Sequence, residues 1–189
     1  MPPKVRFTKE QIAEAAYNMV KKFGIDILTA RNLAAELGVS TAPIFTAFKN
    51  IEEVQEAVKE RAKTEYRAYI EEGLKHEIPF KGAGLKYVEF AKNEPELFKM
   101  LFMGRDNFES IPHYHPGKDI SAEKVLNVVE SNYTKDKDSA MRLYNHLSVY
   151  MHGFAVMFAQ GNSVFTMDDV SQMMSEVFKA LSSNREKSV

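Results

Sequence analysis

Apolar residues recur at intervals of three and four along almost the whole 189-residue chain, and nowhere alternate with polar ones between paired turn signals. The first spacing gathers side chains on one face of a helix, whereas a half-buried strand requires alternation. Asn-Gly and Asp-Gly, the dipeptides that most often close a hairpin, do not occur. The expected fold class is all-α.

Local signals divide the chain into helices. Thr8 precedes Ile12, Ala15, Ala16, Met19 and Phe23, and Gly24 follows where a helix often ends in a glycine. Thr8 and Gln11 have the spacing of a capping box. A short second helix is expected over about 29–37, stopping at Gly38. Ser40 is expected to N-cap a third through Phe48, with Pro43 in its first turn, where a missing N–H does no harm. A long charged amphipathic helix should run from Ile51 to about His76, with Pro79 ending any continuation. Further helices are expected at about 83–93, 95–104, 121–133, 138–160 and 167–182, with an irregular loop over 111–118 and a frayed polar tail over 182–189. This order suggests a small head, residues 1–50, linked through helix 51–76 to a larger body within 51–189.

Composition narrows the class. The chain is 44% apolar with a net charge of −1, which is ordinary globular composition. It lacks cysteine, which removes disulfides and thiolate chemistry and fits a reducing cytoplasm. Met1-Pro2-Pro3-Lys4 opens without an apolar signal segment, and the run Phe154 to Ala159 falls far short of the roughly 20 residues of a membrane span. Cytoplasmic localisation without membrane association is therefore expected. Residues 1–50 hold seven basic and four acidic side chains, against 18 basic and 22 acidic in the remainder. A basic end on an acidic body suits a DNA-binding head, although so small a difference also arises by chance.

The segment Thr29 to Phe48 has the order of a helix-turn-helix. Leu33, Leu37, Val39 and Ile44 supply the crossing contacts, Ala34 lets the backbones approach, and Gly38 supplies a turn with positive φ. Thr41, Ala42, Thr46 and Lys49 are left facing outward, and such a face fits a major groove. An ordinary corner between two helices is the alternative reading.

The stretch Thr29-Ala-Arg-Asn-Leu-Ala-Ala-Glu-Leu-Gly-Val-Ser-Thr-Ala-Pro-Ile-Phe-Thr-Ala-Phe-Lys-Asn, followed by Glu52-Glu53-Val54, resembles the DNA-binding head of the TetR/AcrR family of transcriptional regulators. The first helix, from Phe7-Thr8 to Phe23-Gly24, resembles that family too, and Tyr150-Met151-His152-Gly153 is similar to a short element of one branch. The resemblance implies a homodimeric regulator, most often a repressor, that binds double-stranded DNA at a palindromic operator and responds to a small apolar effector. It implies DNA contacts from Arg31, Ser40, Thr41, Ala42, Pro43, Phe45, Thr46 and Lys49. Three positions depart from the pattern: Phe45 replaces a usual tyrosine, Ala47 a histidine or tyrosine, and Ile51 a lysine. Lys4, Arg6, Lys9, Lys49 and the amides opening the helices are the expected compensation.

In the body, eight of the ten methionines lie at or beyond Met100, interleaved with aromatic residues that include Phe108. Such side chains either form the core or line an adaptable cavity. The expected ligand-binding set is Phe90, Phe98, Phe102, Met151, Phe154 and Phe158, with His152 either a polar anchor or a satisfied core histidine. The resemblance places dimerisation on the last two helices, where Met173, Met174, Val177, Phe178 and Leu181 form an apolar surplus. His113 and His115 could provide two metal ligands but have no obvious third. No nucleophile elbow, phosphate-binding glycine loop or dinucleotide fingerprint is present, so neither an enzyme nor a cofactor or metal is expected. The competing functional reading is a helical small-molecule-binding or interaction protein whose head has lost DNA binding.

Overall fold

The computed structural model describes residues 7–104, 120–134 and 136–183. Among these, the regular structure is entirely helical: α1 (Lys9–Phe23), α2 (Ala30–Glu36), α3 (Ala42–Ala47), α4 (Ile51–Gly73), α5 (Pro79–Asn93), α6 (Pro95–Phe102), α7 (Ile120–Asn132), α8 (Lys137–Ala159) and α9 (Met167–Ser183). A single 3-10 turn, Ile25–Ile27, joins α1 to α2. The helix at the end of the sequence extends to residue 183, while the loop expected over 111–118 and residues 184–189 of the tail lie outside the described residues.

The head follows from its caps and its buried stripe. Thr8 accepts from the Gln11 amide at 3.2 Å, and the Gln11 side chain accepts from the Thr8 amide at 2.9 Å, completing the capping box. Gly24 ends α1 at φ 86°, a region that disfavours side-chain-bearing residues. Ile12, Ala16 and Val20 of α1 are fully buried and form one core with Leu33, Ile44, Phe48 and Val54.

α4 carries the head into the body and packs antiparallel on α5. Its last turn stops at Gly73, three residues before the expected end, and α5 starts at Pro79, four residues before its expected start. Both differences have a physical reason. Proline with its fixed φ is favoured in a first helical turn, so Pro79 initiates a helix. The backbone of Gly82 then presses directly on Gly73, where a Cβ would meet the Gly82 carbonyl carbon at 2.7 Å. Only glycine allows the two helices this separation.

α5 is the central helix of the body and packs against α4, α6, α7, α8 and α9. α1 packs against both α4 and α6. A polar cluster ties the head to that junction: Lys21 Nζ lies 3.0 Å from Glu65 and 2.7 Å from Glu94, and the Tyr17 hydroxyl donates to Glu65. Burial, reinforced by that carboxylate, pushes the Tyr17 hydroxyl pKa up. Arg61 of α4 pairs with Glu14 of α1 and lies 4.2 Å from the Tyr17 ring centroid.

Candidate nucleic-acid interface and body cavity

The turn between α2 and α3 is built by short-range hydrogen bonds. Thr29 caps α2 by accepting from the Asn32 amide at 3.1 Å, and the Asn32 side chain donates to the Ile27 carbonyl at 2.8 Å. At the other end the Val39 amide donates to Ala34 at 3.0 Å and the Gly38 amide to Ala35 at 3.1 Å, with Gly38 at φ 67°. This is a Schellman motif, which gives the otherwise unpaired carbonyls of α2 their donors and aims the chain into α3.

α3 begins one residue later than a Ser40 cap would give. Thr41 holds the N-cap position with φ −70° and ψ −14° and makes no side-chain capping bond. Its backbone is already helical, whereas hydroxyl capping needs an extended residue. Ile44 and Phe48 point into the core. Arg31, Ser40, Ala42, Phe45, Thr46 and Lys49 are exposed, and Thr41 and Pro43 are half-buried. Phe45 stands out as an aromatic ring with 48% of its surface exposed. The Thr46 hydroxyl donates to the Ala42 carbonyl at 2.9 Å.

The three positions that depart from the family pattern have different surroundings. Ala47 and Ile51 are half-buried and packed on the core, while Phe45 is open. Ile51 also borders a groove with Phe23, Leu28 and Met100, between the head, α4 and α6. Lys4 and Arg6 lie outside the described residues. Lys9 pairs with Glu53 at 2.7 Å and lies 4.6 Å from the Phe48 ring centroid. The second Glu53 oxygen accepts from the Lys49 amide at 2.7 Å. That amide, and then the Lys9 ammonium, hold the Glu53 carboxyl below the usual carboxylate range.

In the body, Tyr66, Tyr87, Phe90, Phe98 and Phe102 form one aromatic cluster. Ring centroids are 5.1 Å apart for Phe98 and Phe102, 5.6 Å for Tyr66 and Phe90, and 5.5 Å for Tyr87 and Phe102. The Tyr87 hydroxyl is hydrogen-bonded to Nδ1 of His152 at 2.7 Å. Burial pushes the His152 pKa down, so the neutral ring is favoured. Phe154 packs instead between Tyr150 and Phe165, and half-buried Phe158 lies 5.8 Å from the Lys92 ammonium.

A cavity of about 50 Å³ lies beside this cluster, lined by Tyr66, Gly84, Tyr144, Ser148, Met151 and Met174 among others. It has room for water, but is well below the roughly 300–1,000 Å³ of an effector site. Of the expected ligand set, Met151 borders it, and Phe90, Phe98, Phe102, His152, Phe154 and Phe158 do not. Sequence reasoning passed over Tyr66 and Gly84, and left Tyr144 and Met174, both in its methionine and aromatic stripe, outside the ligand-binding set. Gly84 was the available signal, since a glycine inside an otherwise good helix often marks close packing. A Cβ there would come 2.9 Å from the Met174 methyl.

The expected dimer face is mixed. Val149 on α8 has 57% of its surface exposed. A Cβ on Gly153, one turn further, would meet nothing within 4 Å. Phe178 is half-buried and packs edge-on against Tyr133 of its own chain at 5.0 Å. His113, His115 and Phe108 lie outside the described residues. Among the described residues no group of side chains is arranged to hold a metal, and no helix is long and apolar enough to cross a membrane.

No protein-family model and no curated protein matches the sequence. The structure is similar to that of a TetR-like transcriptional regulator from Rhodococcus sp. RHA1, with a TM-score of 0.65 and 14% sequence identity over 100% of both chains. The fold is therefore TetR-like: an all-α chain with a helix-turn-helix head on a helical body.

Proposed function

We propose that the protein is a DNA-binding transcriptional regulator that acts as a homodimeric repressor on a palindromic operator. The observation that carries this reading is the α2–α3 unit. Its inner residues are buried in the head core, while Arg31, Ala42, Phe45, Thr46 and Lys49 form an exposed, nearly uncharged surface with basic ends. Such a surface suits a major groove flanked by phosphates. Full-length likeness to a regulator fold supports the same reading.

Dimerisation belongs to α8 and α9 in this account, supported by the open side of α8 at Val149 and Gly153. A small apolar effector would act by binding one arrangement of head and body better than the other, since only differential affinity shifts such an equilibrium. The cavity beside Met151 and Met174 is a starting point that must expand to admit it. Selection from a random-sequence duplex pool tests the proposal. Enrichment of an inverted repeat supports it, and no enrichment overturns it.

A second reading, a helical small-molecule-binding or interaction protein without DNA binding, has its own support. Phe45 lacks a hydroxyl, Ile51 is packed on the core, and Lys9 is already paired with Glu53. The same selection separates the two.

A further inference from the structure

We infer that α3 recognises its operator through the methyl groups of thymine; the inference rests on the DNA-binding reading above and specifies the sequence class it requires. The helix is Ala42-Pro43-Ile44-Phe45-Thr46-Ala47, with no amide, guanidinium, ammonium or carboxylate side chain. Ile44 is fully buried and Pro43 and Ala47 are half-buried, which leaves Ala42, Phe45 and Thr46 outward. These three are spaced i, i+3 and i+4 and share one face. The only hydroxyl among them, that of Thr46, directs its proton to the Ala42 carbonyl at 2.9 Å.

Such a face cannot form the bidentate contacts that mark guanine or adenine, which need Arg, Lys, Asn or Gln. The one apolar group on a major-groove edge is the thymine 5-methyl, and alanine, the threonine methyl and phenylalanine are its complements. Phe45 fits that role in position and exposure. Its ring is half open to water on a helix whose other large side chain is wholly buried, and a methyl laid on it removes apolar surface from water. Polar contacts are left to Arg31, Ser40 and Lys49 at the ends of the unit, where they flank the thymines. Each operator half-site should therefore carry one or two thymines opposite α3.

The test uses the full chain and a duplex selected from a random pool. Each thymine is replaced in turn by deoxyuridine, which keeps the base pairing and removes only the methyl. Affinity should fall about fourfold for each thymine facing α3, the value of one buried methyl. The drop should shrink or vanish in Phe45→Ala, with a melting curve confirming that the variant is folded. The deoxyuridine series on the unaltered chain stands even if that variant is unstable. Equal affinity for thymine and deoxyuridine duplexes overturns methyl recognition while leaving DNA binding intact. A deoxyuridine effect undiminished in folded Phe45→Ala overturns the role of Phe45. Failure to enrich any duplex overturns the DNA-binding reading and this inference with it.

Discussion

Lys9, in the first turn of α1, and Glu53, in the first turn of α4, are ion-paired at 2.7 Å on the head. Glu53 also accepts from the Lys49 amide, so one carboxylate engages two segments that carry basic side chains. A paired ammonium is less available to a phosphate. Glu53→Gln should release Lys9, raise affinity for specific and random DNA alike, and steepen the salt dependence by about one unit. Titrating labelled duplex at several salt concentrations checks this. An unchanged slope would mean that Lys9 does not face the DNA.

Ile51 gives a prediction of opposite sign. The resemblance to TetR/AcrR regulators implies a lysine at the matching position, so the isoleucine reads either as a missing phosphate contact or as a buried apolar residue. The side chain is half-buried and packed on the core. Ile51→Lys should lower stability by about 1–3 kcal/mol and weaken DNA binding with it. A melting curve run beside a DNA titration decides the matter. Tighter binding with an unchanged melting temperature would restore the missing-contact reading.

Much of this architecture was legible because its signals are local. Thr8 with Gln11, Gly24 and Gly38 each specify a cap or a positive φ through residues within a few positions, and each appears as expected. The errors lie where distant backbone decides. The close approach of α4 and α5 is set by Gly82 pressing on Gly73, and no pattern near Gly73 announces that contact. The cavity was least legible. Its lining comes from α4, α5, α7, α8 and α9, whereas a stripe of aromatic residues looks the same whether it packs or leaves a void. The aromatic residues at 90, 98 and 102 pack on one another and on Tyr66 and Tyr87.

His152 makes stability depend on pH. Burial lowers its pKa in the folded state, so the unfolded chain binds the proton more readily. Stability should be full above the unfolded value of about 6.5 and fall as pH drops toward the folded value. The melting temperature should decline between about pH 7 and 5, before most carboxylates titrate, and His152→Gln should flatten that decline. An equally steep decline in the variant would assign the effect to another group.

Val149 tests the dimer. Its side chain is largely exposed on α8, whereas Phe178 is committed to Tyr133 within the chain. Val149→Asp should therefore leave the fold intact and raise the dimer dissociation constant at least tenfold, because a charge would be desolvated in the interface. Light scattering across a concentration series reads this directly. A protein that stays monomeric at micromolar concentration before the change would remove α8 as an interface.

The central claim is that the α2–α3 unit reads DNA sequence. Its most direct test is the affinity of the full chain, and of Arg31→Ala, for a selected duplex and a scrambled one at a single stated salt concentration. Arg31 is exposed at the start of α2 and bears the one long cationic side chain between Ala30 and Phe48. The account predicts a preference of about 10³ or more for the selected duplex. It also predicts a loss of about 1–3 kcal/mol in Arg31→Ala on that duplex, with a smaller change on the scrambled one. Equal binding to the two duplexes, or an Arg31→Ala chain with the same preference and affinity, would contradict it.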